Sequence, residues 1–457
     1  MFVKENLAGV NKMETMPIPR LIATMSVPPL ISMFMQYSYN MVDCMFVAHI
    51  NEQALSGVSL VFPVVTLMLA TAIWMGVGVN VLVAQNLGRK DQETANHVVS
   101  SGLLLSATVG LLVSLLVMAI IRPFVGAFTD DPVIYNYAIE YMDVCLWMEI
   151  PCCVHLCIQK ILQGTGNMIA PMWFQIAGVV FNFIFDPILI FGYFGFPAMG
   201  IRGAAVSTVG GYTLSMLLAF YVLIFRKQRV KIQTQGYRFR IGTIWNIFEV
   251  GFPSFVMNAL GAFMTFFVNL FLVAYSMTAV AFFGAYFKIQ QVVIMTLNGL
   301  IQGCVPIMSY CFGAKLDRRL LESFRWGTLA SVLLTGVSVA VLWTFPAGIL
   351  RFFEASEDML SFGVPALRIM SVSYIFAGIS SMIASLLQAT RRIGLSLFIN
   401  LLRQLLMLLP LMWLFSRIWA MDGIWWSFVA AEILTVLIGY VVYRKASLPL
   451  LQSRAAG

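Results

Sequence analysis

The stretch Pro28 to His49, PPLISMFMQYSYNMVDCMFVAH, decides the fold. At a rise of 1.5 Å per residue it is long enough to cross the hydrocarbon core of a bilayer, and apart from one side chain it is apolar enough. That side chain is Asp43. An aspartate at the bilayer centre costs roughly 2.5–3.5 kcal/mol on insertion scales, so such a residue faces a protein interior or a water-filled cavity and marks an ion or substrate path. Asn40, three residues earlier, shares the helical face and is able to donate a hydrogen bond to the carboxylate. Pro28 and Pro29 each remove a backbone hydrogen bond about four turns away, which makes the helix easy to bend. The expectation is a bendable helix carrying a cation-responsive carboxylate.

The rest of the chain has the same character. Its 457 residues are 60% hydrophobic and 11% charged, where a soluble globule carries about 25% charged residues. The net charge of +8 would suggest nucleic acid in a soluble protein; here the basic residues sit between apolar spans and set orientation. The first twenty residues lack the apolar core and small-residue cleavage site of a signal peptide, so the first span is expected to be its own insertion signal. All seven cysteines lie in or beside apolar stretches, as buried small hydrophobes do. Cys152, Cys153, His155 and Cys157 cluster, but on a helix His155 points about 200° away from Cys153 and Cys157, against a metal site.

Twelve spans are expected: 20–47, 54–84, 95–121, 133–158, 168–193, 200–225, 245–272, 278–309, 323–349, 361–388, 394–416 and 421–443. With the N-terminus in the cytoplasm, that side collects 21 of the 28 Lys and Arg residues, Lys160 among them. Both termini are therefore expected inside a cell inner (plasma) membrane. The long basic loop FRKQRVKIQTQGYRFR divides six spans from six, giving an N-terminal lobe 1–225, an inter-lobe loop 226–244 and a C-terminal lobe 245–457. The halves repeat at a separation of about 225: NMVDCMFVAH (40–49) with FFVNLFLVAY (266–275), QNLGRKD (85–91) with YCFGAKLD (310–317), and LQGT (162–165) with LQAT (387–390). Each half has an even number of spans, so the repeats are parallel and related by an axis along the membrane normal, as in two-lobed transporters. The repeat fails at the carboxylates: Asp43 becomes Asn269, and Asp186 meets only apolar residues near Met407 to Met412.

Span five carries Asn182 and Asp186 on one face, followed by Pro187, echoing span one. Counting along the helices puts Asp43 and Asp186 in the outer part of the membrane, where a shared cavity suits either a sodium ion held by hard oxygens or a proton. Glu149 is a candidate for the same cavity, and Tyr141 and Thr208 for added oxygen ligands. Lys288, Arg403 and Glu432 are read as internal ion pairs. The many Met and Phe residues suit a pocket for lipophilic cations. No P-loop is present, so the driving energy is expected from an ion gradient or a partner.

YNMVD at Tyr39 to Asp43, LVFP (60–63), LGRKD, LQGTGN (162–167), FNFIFDP (181–187) and GIRGAA (200–205) together resemble the multidrug and toxic compound extrusion (MATE) family over nearly the whole chain. TAVAFFGAYFKIQQ (278–291) and PIMSYCFGAK (306–315) resemble its MepA-like Gram-positive branch most. The resemblance implies an all-α polytopic membrane protein with twelve transmembrane helices in two parallel six-helix lobes arranged as a V. It implies a non-enzymatic, monomeric antiporter that exports lipophilic, often cationic small molecules in exchange for Na⁺ or H⁺ and needs no other cofactor. Family cation sites in the first lobe match Asp43, Asn182 and Asp186, with Asp43 and Asp186 as the sodium ligands if the ion is sodium. The C-lobe acids of other relatives have no match at the corresponding depth. Two other readings stand beside this one: a lipid-linked sugar flippase of the related superfamily, disfavoured because only Lys288, Arg368 and Arg403 are available for a cationic cavity, and a polytopic membrane transferase, disfavoured because His49, His97 and His155 are scattered.

Overall fold

The computed structural model describes residues 11–233, 237–238, 240–273, 275–353 and 356–447. The spanning helices are α1 Ile18–Ala48, α2 Glu52–Gly88, α3 Gln92–Phe128, α4 Pro132–Gly164, α5 Ile169–Phe191, α6 Ile201–Phe225, α7 Ile241–Val273, α8 Met277–Gly313, α9 Asp317–Thr344 and α10 Glu357–Ala389. A final helical run, Ile393–Lys445, is long enough to cross twice. It reverses at Trp419 and Ala420, whose backbone is non-helical, and so forms α11 (393–418) and α12 (421–442). Twelve crossings result among the described residues, as the apolar runs predict. Several begin or end elsewhere than expected: α3 runs on to Phe128, α4 to Gly164 and α8 to Gly313, α7 starts at Ile241 and α10 at Glu357, and α9 occupies Asp317–Thr344.

Local chemistry repeats with the lobes. Asn51 caps α2 by accepting from Ala54 N at 2.6 Å, and 225 residues on, Ser276 caps α8 by accepting from Ala279 N at 3.0 Å. Asp131 and Ser356 cap α4 and α10 in the same register. Such caps satisfy N–H groups that a helix start leaves without partners. Left-handed turn residues recur at the same spacing, Lys90 (φ 62°) with Lys315 (φ 57°) and Gly166 (φ 92°) with Arg391 (φ 60°).

The apolar core divides as the lobes do. Near the end that carries both termini, one continuous cluster joins Met25, Val79, Ile158, Ile247, Val250, Cys304 and Leu387, drawn from both halves. Towards the other end there are two separate clusters, one around Val61, Val125 and Ala204 and one around Phe282, Leu367 and Trp425. The molecule is a V, closed at the terminal end and open at the other. At the closed end the backbones meet directly: a methyl group on Gly78 would overlap the Ile247 carbonyl, and one on Gly303 would overlap Ser26. Only glycine permits that approach.

The inter-lobe loop is not a free joint. Lys231 N donates to Asn96 Oδ1 at 2.8 Å, Gln233 N donates to Ser100 Oγ at 2.7 Å, and the Tyr237 ring stacks on His97. It is strapped to the start of α3, inside the first lobe.

Candidate functional site

α1 stays helical through Pro28 and Pro29 and leans on α5 of its own lobe and α8 of the other. It thereby carries Tyr39 and Asp43 against α4, α5 and α6 of the first lobe. Tyr39 is buried, with its hydroxyl 2.9 Å from Thr208 Oγ1. Since Thr208 donates its own hydrogen to Ala204 O at 3.1 Å, Tyr39 is the donor in that pair. Asp43 follows one turn later, and its Oδ1 is buried without a hydrogen-bond partner.

α5 supplies the second carboxylate. Asp186 is 0% exposed and neither of its oxygens has a partner. Asn182, four residues earlier, accepts from Ser207 Oγ at 3.1 Å, which ties α5 to α6. Asp43 and Asp186 are close enough for their charges to interact, and Tyr39 and Tyr141 both lie within electrostatic reach of Asp43. Buried carboxylate oxygens with no donor are costly to leave unpaired. Two of them facing one place form a ready set of hard oxygen ligands, or a seat for a proton.

The structure therefore brings Asp43, Asp186, Asn182, Tyr141 and Thr208 together. Asn40 is exposed and makes no hydrogen bond to Asp43. Glu149, 0% exposed, starts the second part of α4 and accepts from Cys153 Sγ at 3.2 Å and from Thr71 Oγ1 at 3.5 Å; its Oε2 has no partner. Asn269, the counterpart of Asp43, has a buried Oδ1 without a partner in the opposite lobe. Lys288 is exposed, with its ammonium 5.9 Å from the Phe353 ring centroid, and among the described residues it forms no ion pair. Arg403 and Glu432 do pair, at 2.6 Å. Among the described residues no His, Cys, Asp and Glu gather as a transition-metal site. Tyr39 is the site residue that the sequence reading omitted; its position four residues before Asp43, on the same face, was the available signal.

Among the described residues, hydrogen bonds between the lobes reach from the closed end as far as Tyr37, whose hydroxyl donates to Lys288 O at 3.1 Å. Lys160, expected in a loop by its charge, is instead buried in α4 and donates across the boundary to Gln302 Oε1 at 2.9 Å. Two apolar pockets of about 490 and 410 Å³ lie on the lobe flanks, against Trp147 and Trp343, away from the carboxylates.

The family model MatE matches the chain twice, at residues 28–188 and 253–414, one match to each lobe. Among characterised relatives, the multidrug export protein MepA of Staphylococcus haemolyticus is 22% identical over 422 residues, covering 92% of each chain. The FAD transporter of Shewanella oneidensis is 26% identical over 436 residues, covering 94% of each. A solved structure of an outward-facing multidrug resistance MATE family transporter of the MOP superfamily superposes with a TM-score of 0.90 at 22% identity, covering 96% of this chain and 97% of that one. Two lobes that each match the family model, closed on one another at the terminal end, the first holding buried carboxylate oxygens without partners, place this chain in the MatE family of membrane transporters.

Proposed function

We propose that the chain is a cation-coupled antiporter that exports lipophilic, often cationic small molecules across the plasma membrane, with both termini in the cytoplasm and the cleft open to the outside. The observation that carries this reading is the pair Asp43 and Asp186, buried without partners where α1 and α5 meet. A cation entering the open cleft, Na⁺ or H⁺, neutralises the pair. That removes the charge that attracts a cationic drug and favours a bent α1, for which Pro28 and Pro29 leave backbone carbonyls unbonded. The drug leaves, the lobes rock about the closed end, and the cation is released inside. In such a cycle each ligand shifts the equilibrium only by its differential affinity for the two states.

The test is efflux of ethidium from proteoliposomes under a sodium gradient alone and under a proton gradient alone. Efflux under one gradient that is lost in Asp43→Asn supports the antiporter and identifies its ion. No efflux under either, from folded protein, sinks the reading.

A second reading, export of a flavin dinucleotide, is favoured by the relative from Shewanella oneidensis. FAD offered in the same vesicles separates the two.

A further inference from the structure

His155 lies on α4, about 13 Å along the helix from its closed end at Gly164. It is 2% exposed, and neither ring nitrogen has a partner. A neutral imidazole carries one donor and one acceptor, so both of its polar atoms are left unanswered by protein groups inside the helix bundle. Its ring meets Phe174 at 5.4 Å and Tyr212 at 6.1 Å between centroids.

One turn further along α4, on the same face, stands Gln159. Its Nε2 donates to Gln175 Oε1 at 3.0 Å, and Gln175 Nε2 donates to Gln36 Oε1 at 3.0 Å. The Gln36 amide in turn reaches the Tyr212 hydroxyl. All the amides in this row run in one sense, so their dipoles add. The row ends at Gln159 Oε1, which is buried with no donor. An unanswered carbonyl oxygen at the negative end of a polarised row, one turn from an unpartnered imidazole on the same face, is an acceptor suited to the extra N–H of an imidazolium and offers nothing to a sodium ion that seeks several oxygens.

The second lobe treats the same place differently. The 225-residue repeat carries His155 onto Ser380. The glycines Gly203 and Gly423, each packed on the backbone of the preceding helix, carry Tyr212 onto Glu432, nine residues further in both halves. There Ser380 Oγ donates to Glu432 Oε2 at 3.1 Å and Arg403 Nε donates to Glu432 Oε1 at 2.6 Å. The C-lobe position is filled by a self-satisfied ion pair, and its N-lobe counterpart is left open.

The titratable groups around the His155 and Tyr212 pair are Glu149, Cys145 and Cys152 of α4 and Tyr39 of α1, all within electrostatic reach of Tyr212. Cys153 is bonded to Glu149, and Cys157 is packed towards Gly102 of α3. None of these is cationic.

We propose that His155 is an inner station for the coupling proton, between the cleft and the closed end. A ring nitrogen takes H⁺ from a hydronium arriving from the outer site, forming N–H as O–H breaks, and gives it to water when the lobes open on the terminal side. This rests on the antiporter reading and commits it to protons.

The experiment uses the full chain in proteoliposomes and follows ethidium in two modes, efflux driven by a proton gradient and ethidium exchange without any gradient, which needs no net proton movement. In His155→Ala, gradient-driven efflux is expected to fall about tenfold or more while exchange continues. Unchanged gradient-driven efflux overturns the proposal. If His155→Ala loses both modes, His155→Asn, which keeps a polar group of similar size, decides: loss of both modes again marks a structural residue and overturns the proposal, whereas recovery of exchange alone supports it. A wild-type protein driven by sodium and not by protons also overturns it while leaving the antiporter standing, and a wild-type protein driven by neither ion removes both.

Discussion

Lys160 Nζ donates to Gln302 Oε1 at 2.9 Å, from α4 of one lobe to α8 of the other, and Gln163 Nε2 donates to the same oxygen at 3.2 Å. Among the described residues no carboxylate shares the contact: Lys160 Nζ donates to Gln163 and Gln302, and the residue is 8% exposed. A buried ammonium held by neutral amides across a moving boundary acts as a latch on the closed state. Hydrogen bonds to charged groups contribute about 1.5–3 kcal/mol. Gln302→Leu is therefore expected to lower the apparent unfolding temperature and to raise labelling, from the terminal side, of a cysteine placed at the cleft floor. A double-mutant cycle with Lys160→Met measures the latch, and additive effects would show that the two side chains do not act together.

In the second lobe Arg403 and Glu432 form an ion pair within the helix bundle. The pair is 2.6 Å apart, with Ser380 on one carboxylate oxygen and Ser381 Oγ accepting from Arg403 at 2.6 Å. Arg403 sits in a π-helical turn, Leu402–Leu406, a distortion that re-aims a side chain at the expense of regular bonding. Glu432→Gln leaves the guanidinium buried without its anion, and breaking such a pair costs about 3–5 kcal/mol. Replacing both partners, Glu432→Leu with Arg403→Met, is expected to restore most of that loss. Thermal unfolding in detergent reads both variants, and a double variant no better than the single one would refute this account of the pair.

Helix number and the two-lobed plan are legible in the sequence because hydropathy and a 225-residue repeat both report on them. The convergence of Asp43 and Asp186 is legible for a narrower reason: each stands alone in an apolar helix, and an isolated intramembrane acid has few places to go. Lys160 defeats the same logic, since a basic residue near a helix end reads as a loop charge until α4 is seen to continue to Gly164. The glutamine row is invisible for another reason. Gln36, Gln159 and Gln175 come from three helices, and nothing in their spacing along the chain records which helices touch.

Stability and function are expected to part company at the carboxylates. Asp186 has no hydrogen-bond partner on either oxygen and Asp43 has none on Oδ1, so each contributes a desolvation cost that no native bond offsets. Asp43→Asn and Asp186→Asn should leave the apparent unfolding temperature unchanged or higher, as is common where a site is held for function. Ion-driven efflux should fall by about tenfold or more in either variant. Variants that transport normally would exclude the pair from coupling; variants that fail to fold would mean that the carboxylates hold the helices together.

The turn between α11 and α12 carries strain that its counterpart avoids. Ala420 adopts φ 49° and ψ −129°, and the corresponding turn of the first lobe places Gly200 at φ 56° and ψ −130°. In that region a Cβ crowds the neighbouring carbonyls, and residues held there cost about 1–3 kcal/mol. Each turn precedes a glycine that must lie flat on the preceding helix, Gly203 on Leu189 and Gly423 on Phe415, so the close packing of the helix pair enforces the conformation. Ala420→Gly removes the Cβ and keeps the turn. Part of the gain is offset by the extra freedom glycine brings to the unfolded chain, leaving a net stabilisation of about 1 kcal/mol. The reverse change, Gly200→Ala, has open space around the new methyl group and so isolates the backbone term. Thermal unfolding of the two variants should move in opposite directions, and a shift of the same sign in both would remove strain as the explanation.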